Sequence, residues 1–128
     1  MVPAWEDAVR RGDLERIDEL IGTGVDINSL DAHSQTALMR AAVYGHTGVV
    51  RRLIEHGANL NVTAKYNLSA LMLAIINDHV DIATLLVEAG ADLHVRGTGA
   101  PGFYDKTAAE LALDRGQVEL ADDIRNKQ

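Results

Sequence analysis

The chain contains no cysteine, only two prolines in 128 residues, and no apolar run that approaches membrane-spanning length. Without cysteine there is no disulfide framework, no thiol nucleophile and no thiolate metal site, which is compatible with a reducing compartment. The amino terminus, MVPAWEDAVRRGD, meets two acids before an apolar run can develop, and no later stretch suits a bilayer, so the expected location is the cytoplasm with no membrane contact. Base is also in short supply. Twelve Lys and Arg face 19 Asp and Glu, a net charge of −7, and such a field repels phosphate backbones and makes nucleic acid an unexpected partner. What is present is ordinary for a globular protein: 47% hydrophobic and 24% charged residues, with no polar low-complexity segment. One domain folded nearly end to end is expected.

The informative feature is internal repetition. LIEHGANLN at 53–61 returns in LLVEAGADLH from Leu86, 33 positions later. In the same register fall Gly24, Gly57 and Gly90; Asp26, Asn59 and Asp92; Thr36 and Ser69; Leu38 and Leu71; Ala41 and Ala74; His46 and His79. Each unit reads as two short helices and a turn. Thr36 is placed to cap TALMRAAVYG, Ala41 and Ala42 allow close helix approach, and Gly45 can take the left-handed conformation that ends a helix. A second helix begins near His46, with Val49, Val50, Leu53 and Ile54 on one stripe and Arg51, Arg52 and Glu55 toward water, and it stops at Gly57. ANLNVTAKYN then reads as an extended excursion with a turn leading to the next cap, Ser69.

The segments TALMRAAVYGH with LIEHGANLN, and SALMLAIINDH with LLVEAGADLH, resemble the ankyrin repeat family, whose units have a 33-residue period. The resemblance implies an all-α repeat solenoid of helix-turn-helix units joined by β-hairpin-like turns. Its units are expected at 3–29 (amino-terminal cap), 30–62, 63–95 and 96–128 (carboxy-terminal cap with an enlarged turn, 96–106). Stacked units bury their apolar faces on one another, and the end units turn polar sides outward. AWEDAVRRGDLERIDELIGTGVDIN and TAAELALDRGQVELADDIRNKQ do so, Leu120 and Ile124 facing inward while Asp122, Asp123, Arg125 and Asn126 face water, so a complete, stand-alone, monomeric stack is expected. The chain departs from the family pattern at Ala37 and Ala70 (usually Pro), at Met39 and Met72 (usually His, which removes the family's Thr-to-His hydrogen bond), and at Asp78 (usually Gly).

Two stretches look like chemistry. GTGAPG at 97–102 spells the G-x-G-x-x-G of dinucleotide-binding enzymes, but that fingerprint needs a preceding strand and a helix opening at its last glycines. Here the T-x-x-E capping box of Thr107 and Glu110 starts the helix later. The spacing from Ser69 to Thr107 is 38, so this turn carries five extra residues around 97–101, whose glycines and Pro101 permit a tight reversal that presents Phe103 and Tyr104. DAHS at 31–34 gathers an acid, a histidine and a serine, but neighbours on a turn cannot form an aligned nucleophile relay. His46 and His79 are expected to be structural, and His33, His56 and His94 show no metal-binding spacing. Neither catalysis, cofactor nor metal is expected.

The family resemblance further implies a concave groove, lined by turn tips and first-helix ends, that binds another protein. Carried over position by position, it comprises Arg10 and Arg11; Ala32, His33, Gln35, Val43 and Tyr44; Lys65, Tyr66, Leu68, Ile76 and Asn77; and Phe103, Tyr104, Lys106, Asp114 and Arg115. Four of the five aromatic residues fall in this set, and Trp5 falls where a core residue of the end unit is expected. Tyr44, Tyr66, Phe103 and Tyr104 are the expected anchors. Among the groove's cations, Arg10, Arg11 and Arg115 stand where they offset a helix dipole, which leaves Lys65 and Lys106 as readers of an acidic partner surface. A small bacterial regulator, or an inhibitor that covers another protein's active site, fits a stack of this size; the alternatives are a self-assembling structural protein and, further off, a small-ligand or RNA binder.

Overall fold

The computed structural model describes residues 1–99 and 102–128. Among these residues eight helices follow in pairs: α1 (Pro3–Arg11) with α2 (Leu14–Gly22), α3 (Ala37–Tyr44) with α4 (Thr47–Glu55), α5 (Ala70–Ile76) with α6 (Val80–Glu88), and α7 (Ala108–Asp114) with α8 (Val118–Lys127). The first helices, α1, α3, α5 and α7, pack on one another in a row, and the second helices, α2, α4, α6 and α8, form a parallel row behind them. Among the described residues no strand forms. The turns between pairs carry only isolated bridges, Thr63 with Ser69 and Gly97 with Tyr104, and one tight turn at Lys65–Asn67 in which Tyr66 and Asn67 are left-handed. This is an all-α repeat stack.

Local chemistry starts and stops the helices. The side chains of Thr36, Ser69 and Thr107 accept from the backbone N–H groups of Met39, Met72 and Glu110, and the Glu110 carboxylate reaches back to the Thr107 N–H at 3.1 Å, completing the capping box. At the other end, Gly45 (φ 80°) terminates α3 in the left-handed conformation. Its equivalent after α5 is Asp78, which adopts the same conformation (φ 62°) despite its side chain. Small residues hold the first-helix row together, Ala37, Ala41, Ala42, Ala70, Ala74, Ala108 and Ala112 being buried with Leu38, Leu71, Met39 and Met72. Trp5 closes the core in the first unit, and Leu120 and Ile124 close it in the last.

Two sets of side chains tie the units together, the first at all three junctions and the second at the first two. His46 Nε2–H donates to the Arg10 carbonyl (2.8 Å) and His79 Nε2–H to the Val43 carbonyl (3.2 Å), so each imidazole bonds a first-helix carbonyl of the preceding unit. A carbonyl only accepts, which fixes the proton on Nε2 in both rings. Gln117 occupies the equivalent place in the last unit, once the five extra residues are counted, and donates to the Ile75 carbonyl (3.1 Å). On the other edge, the Asn28 side chain accepts from the Asn59 N–H and that of Asn61 from the Asp92 N–H, both at 2.8 Å. His79 explains the glycine at 45: a Cβ there would stand 2.7 Å from the imidazole.

Candidate functional site

The residues expected to meet a partner lie on the first-helix row and the turns at its edge. Tyr44 and Tyr104 are exposed (40% and 67%), as are His33, Lys65, Asn77 and Arg115, whereas Gln35, Val43, Tyr66, Ile76, Phe103 and Lys106 are half-buried. Leu68 is the correction. It is buried (5% exposed), because the left-handed turn at Lys65–Asn67 reverses the chain and directs Leu68 inward against the core, while its carbonyl accepts from the Ala64 N–H.

At the second unit, Tyr44 is held by Arg40 one helical turn before it, and Arg40 is held in turn by acids that no helical spacing brings to it. Arg40 donates to the Tyr44 hydroxyl (2.7 Å) and to the Asp31 carboxylate (2.6 Å), with Glu6 at 3.5 Å. The Asp31 side chain is 1% exposed and also accepts from the His33 and Gln35 N–H groups at 2.8 and 3.0 Å. Burial opposes its ionisation, but the bonds from the Gln35 N–H, Arg40 and the His33 N–H outweigh burial and hold the carboxyl below the usual range. DAHS is therefore a turn built around a structural carboxylate. The His46 ring lies 5.7 Å from that of Tyr44 and gives it a second wall.

At the third and fourth units the enlarged turn folds onto its neighbour. The Thr98 N–H donates to the Tyr66 carbonyl (2.8 Å), the Asn67 side-chain amide to the Arg96 carbonyl (3.0 Å), and the Gly97 N–H to the Lys106 carbonyl (3.0 Å). The Tyr66 and Phe103 rings lie 5.7 Å apart. Two glycines of the G-x-G-x-x-G stretch are explained by this packing: a Cβ on Gly97 would sit 2.4 Å from the Phe103 carbonyl, and one on Gly99 2.5 Å from the Tyr66 ring. The Gly97 and Thr98 N–H groups are already used, and α7 opens only at Ala108, so no helix starts at the last glycine of the stretch as the dinucleotide fingerprint requires. Pro101, expected to help the reversal, lies outside the described residues. Beside the turn is a surface depression of about 250 Å³ lined by Ile76, Gly102, Phe103, Lys106, Leu111, Asp114 and Arg115.

The charges on this face are almost fully matched within the chain. Arg10 and Arg11 pair with Asp7, Arg96 with Asp105 and Glu110, Lys106 with Asp114, and Arg115 with both oxygens of Asp78 at 2.9 and 2.7 Å. The Arg115 guanidinium holds the Asp78 carboxyl below its usual range. Among the described residues, Lys65 alone of this face's cations has no carboxylate within ion-pair distance; its ammonium stands 5.0 Å from the centroid of the Tyr66 ring. The first helices with their turns (residues 1–11, 29–45, 62–78 and 95–115) carry seven acids and seven bases, and the remainder carries twelve acids and five bases. The whole net charge of −7 therefore belongs to the second-helix side.

Among the described residues, no group of three or more His, Asp or Glu is placed to hold a metal ion, and no helix is long and apolar enough to cross a membrane. The architecture is that of a helical-repeat scaffold that presents one row of helices and turn tips. A family model described as ankyrin repeats (3 copies) matches residues 6–97, and the chain belongs to the ankyrin repeat family. The match ends where the enlarged turn begins. The chain is also similar, at 43% identity over 45 residues, to the ankyrin repeat-containing protein YIL001W of Saccharomyces cerevisiae, a match that covers 35% of this chain and 9% of that relative. Ankyrin repeats are generally protein–protein interaction modules and are typically non-catalytic.

Proposed function

We propose that this chain is a non-catalytic binding protein that acts, as a monomer in the cytoplasm, by covering a surface of a partner protein with its first-helix row and turn tips. One observation carries the reading: Trp5 is spent on the core, while the other four aromatic residues gather on this face, two exposed and two packed as a pair. Aromatic side chains supply large contact area with few rotors, and Tyr44 is already oriented by Arg40, so little ordering entropy remains to be lost on binding. An interface of standard size takes about 800 Å² from each partner. The total surface is 6383 Å², so roughly an eighth of it would suffice. The expected acidity of the partner surface now rests on Lys65, since Lys106 is matched by Asp114. A regulator or inhibitor is the role that suits such a module.

The test is affinity capture from a lysate of the source cells, comparing the wild type with a Tyr44→Ala, Lys65→Ala, Tyr104→Ala variant whose circular dichroism is unchanged. A protein retained by the wild type and lost by the variant is the expected result. A protein retained equally would move the interface to the second helices, and the absence of any retained protein would remove the reading.

A further inference from the structure

We infer that the paired turns of the third and fourth units form a recognition site for an extended peptide segment that presents an apolar side chain near a carboxylate. The inference rests on the protein-binding reading and names the part of the partner that is recognised. Three independent features meet at this place.

The first is strain. Tyr66 has φ of 62°, a conformation that bulky L side chains rarely adopt and that its equivalents His33 and Tyr104 do not share, whereas the left-handed Asn67 beside it (φ 57°) recurs at Ser34 and Asp105 in the other turns. Such a conformation persists only where the surroundings hold it, and here the Thr98 N–H, the Asn67 amide on the Arg96 carbonyl, and the bare Cα of Gly99 against the Tyr66 ring do so. Seen this way, the enlarged turn braces an aromatic pair at the edge of the face.

The second is shape. The depression beside Phe103, with Ile76 and Leu111 in its lining, measures about 250 Å³, below the usual range for a whole small-molecule ligand and suited to one inserted side chain. Its own cations are committed, Lys106 to Asp114 and Arg115 to Asp78, so the depression itself draws an apolar group.

The third is charge. Lys65 lies 5.0 Å from the Tyr66 ring, which lies 5.7 Å from Phe103, so an unmatched cation and an apolar depression share one continuous strip. The two steps place Lys65 at most about 11 Å from Phe103, a distance spanned by roughly three residues of extended chain. An apolar side chain in the depression and an Asp or Glu against Lys65 satisfy both ends, with the intervening residues crossing the aromatic pair.

A display selection of random peptides against the intact chain tests this. Enriched sequences are expected to carry Leu, Ile, Met or Phe within roughly three positions of Asp or Glu. Selection against Lys65→Glu is expected to exchange the acid for Lys or Arg. The best wild-type peptide is expected to bind Ile76→Lys, and separately Phe103→Ala, at least about tenfold more weakly by fluorescence polarisation, with both variants verified by circular dichroism. Should Ile76→Lys fail to fold, Phe103→Ala decides the point. Enriched peptides without an acid, or peptides indifferent to Lys65→Glu, overturn the inference. If such peptides are lost on Tyr44→Ala, the site is wrong but the face remains the binding surface. Failure to enrich any peptide over an unrelated folded control also overturns the inference, and the capture experiment then decides separately whether the face binds protein.

Discussion

Asp31 is the carboxylate on which the second turn tip is built, since its two oxygens receive Arg40 and two backbone N–H groups at a site almost closed to water. Removing one partner of a buried pair leaves the other charge unsatisfied, so Asp31→Ala is expected to lower stability by about 3 kcal/mol, read from urea unfolding at neutral pH. Its pH dependence has a definite sign. The folded-state pKa is lowered relative to an unfolded value near 3.9, so the contribution is complete above that value and is lost as pH falls through the lower, folded one. Wild-type urea midpoints should therefore fall more steeply on acidification than those of Asp31→Asn, and parallel curves would show that Asp31 is not the group titrating. Residue type and spacing made Tyr44 legible as an exposed aromatic residue. They did not join Asp31 to Arg40 nine positions on, because that contact exists only once the turn tip folds back on α3. Leu68 misled for a related reason: its flanking residues read as surface, and the turn that directs it inward places a tyrosine in the left-handed region, which residue type does not announce.

At the scale of helices and turns, the caps were legible because capping is local: a hydroxyl and an N–H three residues on suffice. Thr36→Ala and Ser69→Ala should each cost about 1 kcal/mol in thermal or urea unfolding, and Thr107→Ala more, because its box is reciprocal. The junctions between units were legible only in part. The period showed that His46 and His79 were equivalent, but not that each lies over the left-handed glycine that ends the preceding first helix. A paired comparison isolates this. Gly57 (φ 77°) and Gly45 (φ 80°) have the same backbone conformation, but a Cβ at Gly57 meets nothing within 4 Å. Gly57→Ala should cost about 1 kcal/mol for the left-handed alanine, and Gly45→Ala about 1–2 kcal/mol more for the collision with His79. His79→Gln should recover part of that excess in the Gly45→Ala background, whereas strict additivity would mean that the ring is not the obstacle. The chain already holds the natural counterpart: Asp78 replaces the glycine where Gln117 replaces the histidine, and Gln117 donates to the Asp78 carboxylate at 3.1 Å.

At the scale of the whole molecule, the stack separates two surfaces by charge, a balanced first-helix face and a second-helix side that carries the entire net −7. The sequence revealed the period and the five extra residues of the last turn, since both are matters of counting. That those residues brace Tyr66, and that nearly every cation of the face is answered by a neighbouring carboxylate, depends on contacts between units and could not be counted. One unmatched cation implies modest screening. The affinity of the captured partner should change by less than about threefold between roughly 50 and 300 mM salt, and a loss of tens of fold would mean that several charges of this face are opened on binding. The most direct test of the account is amide hydrogen exchange of the chain alone and saturated with the partner it captures. Protection is expected in the turns and first helices, residues 31–44, 65–77 and 102–115, with α4, α6 and α8 unchanged. Protection confined to α4, α6 and α8 would place the partner on the acidic side and contradict the account.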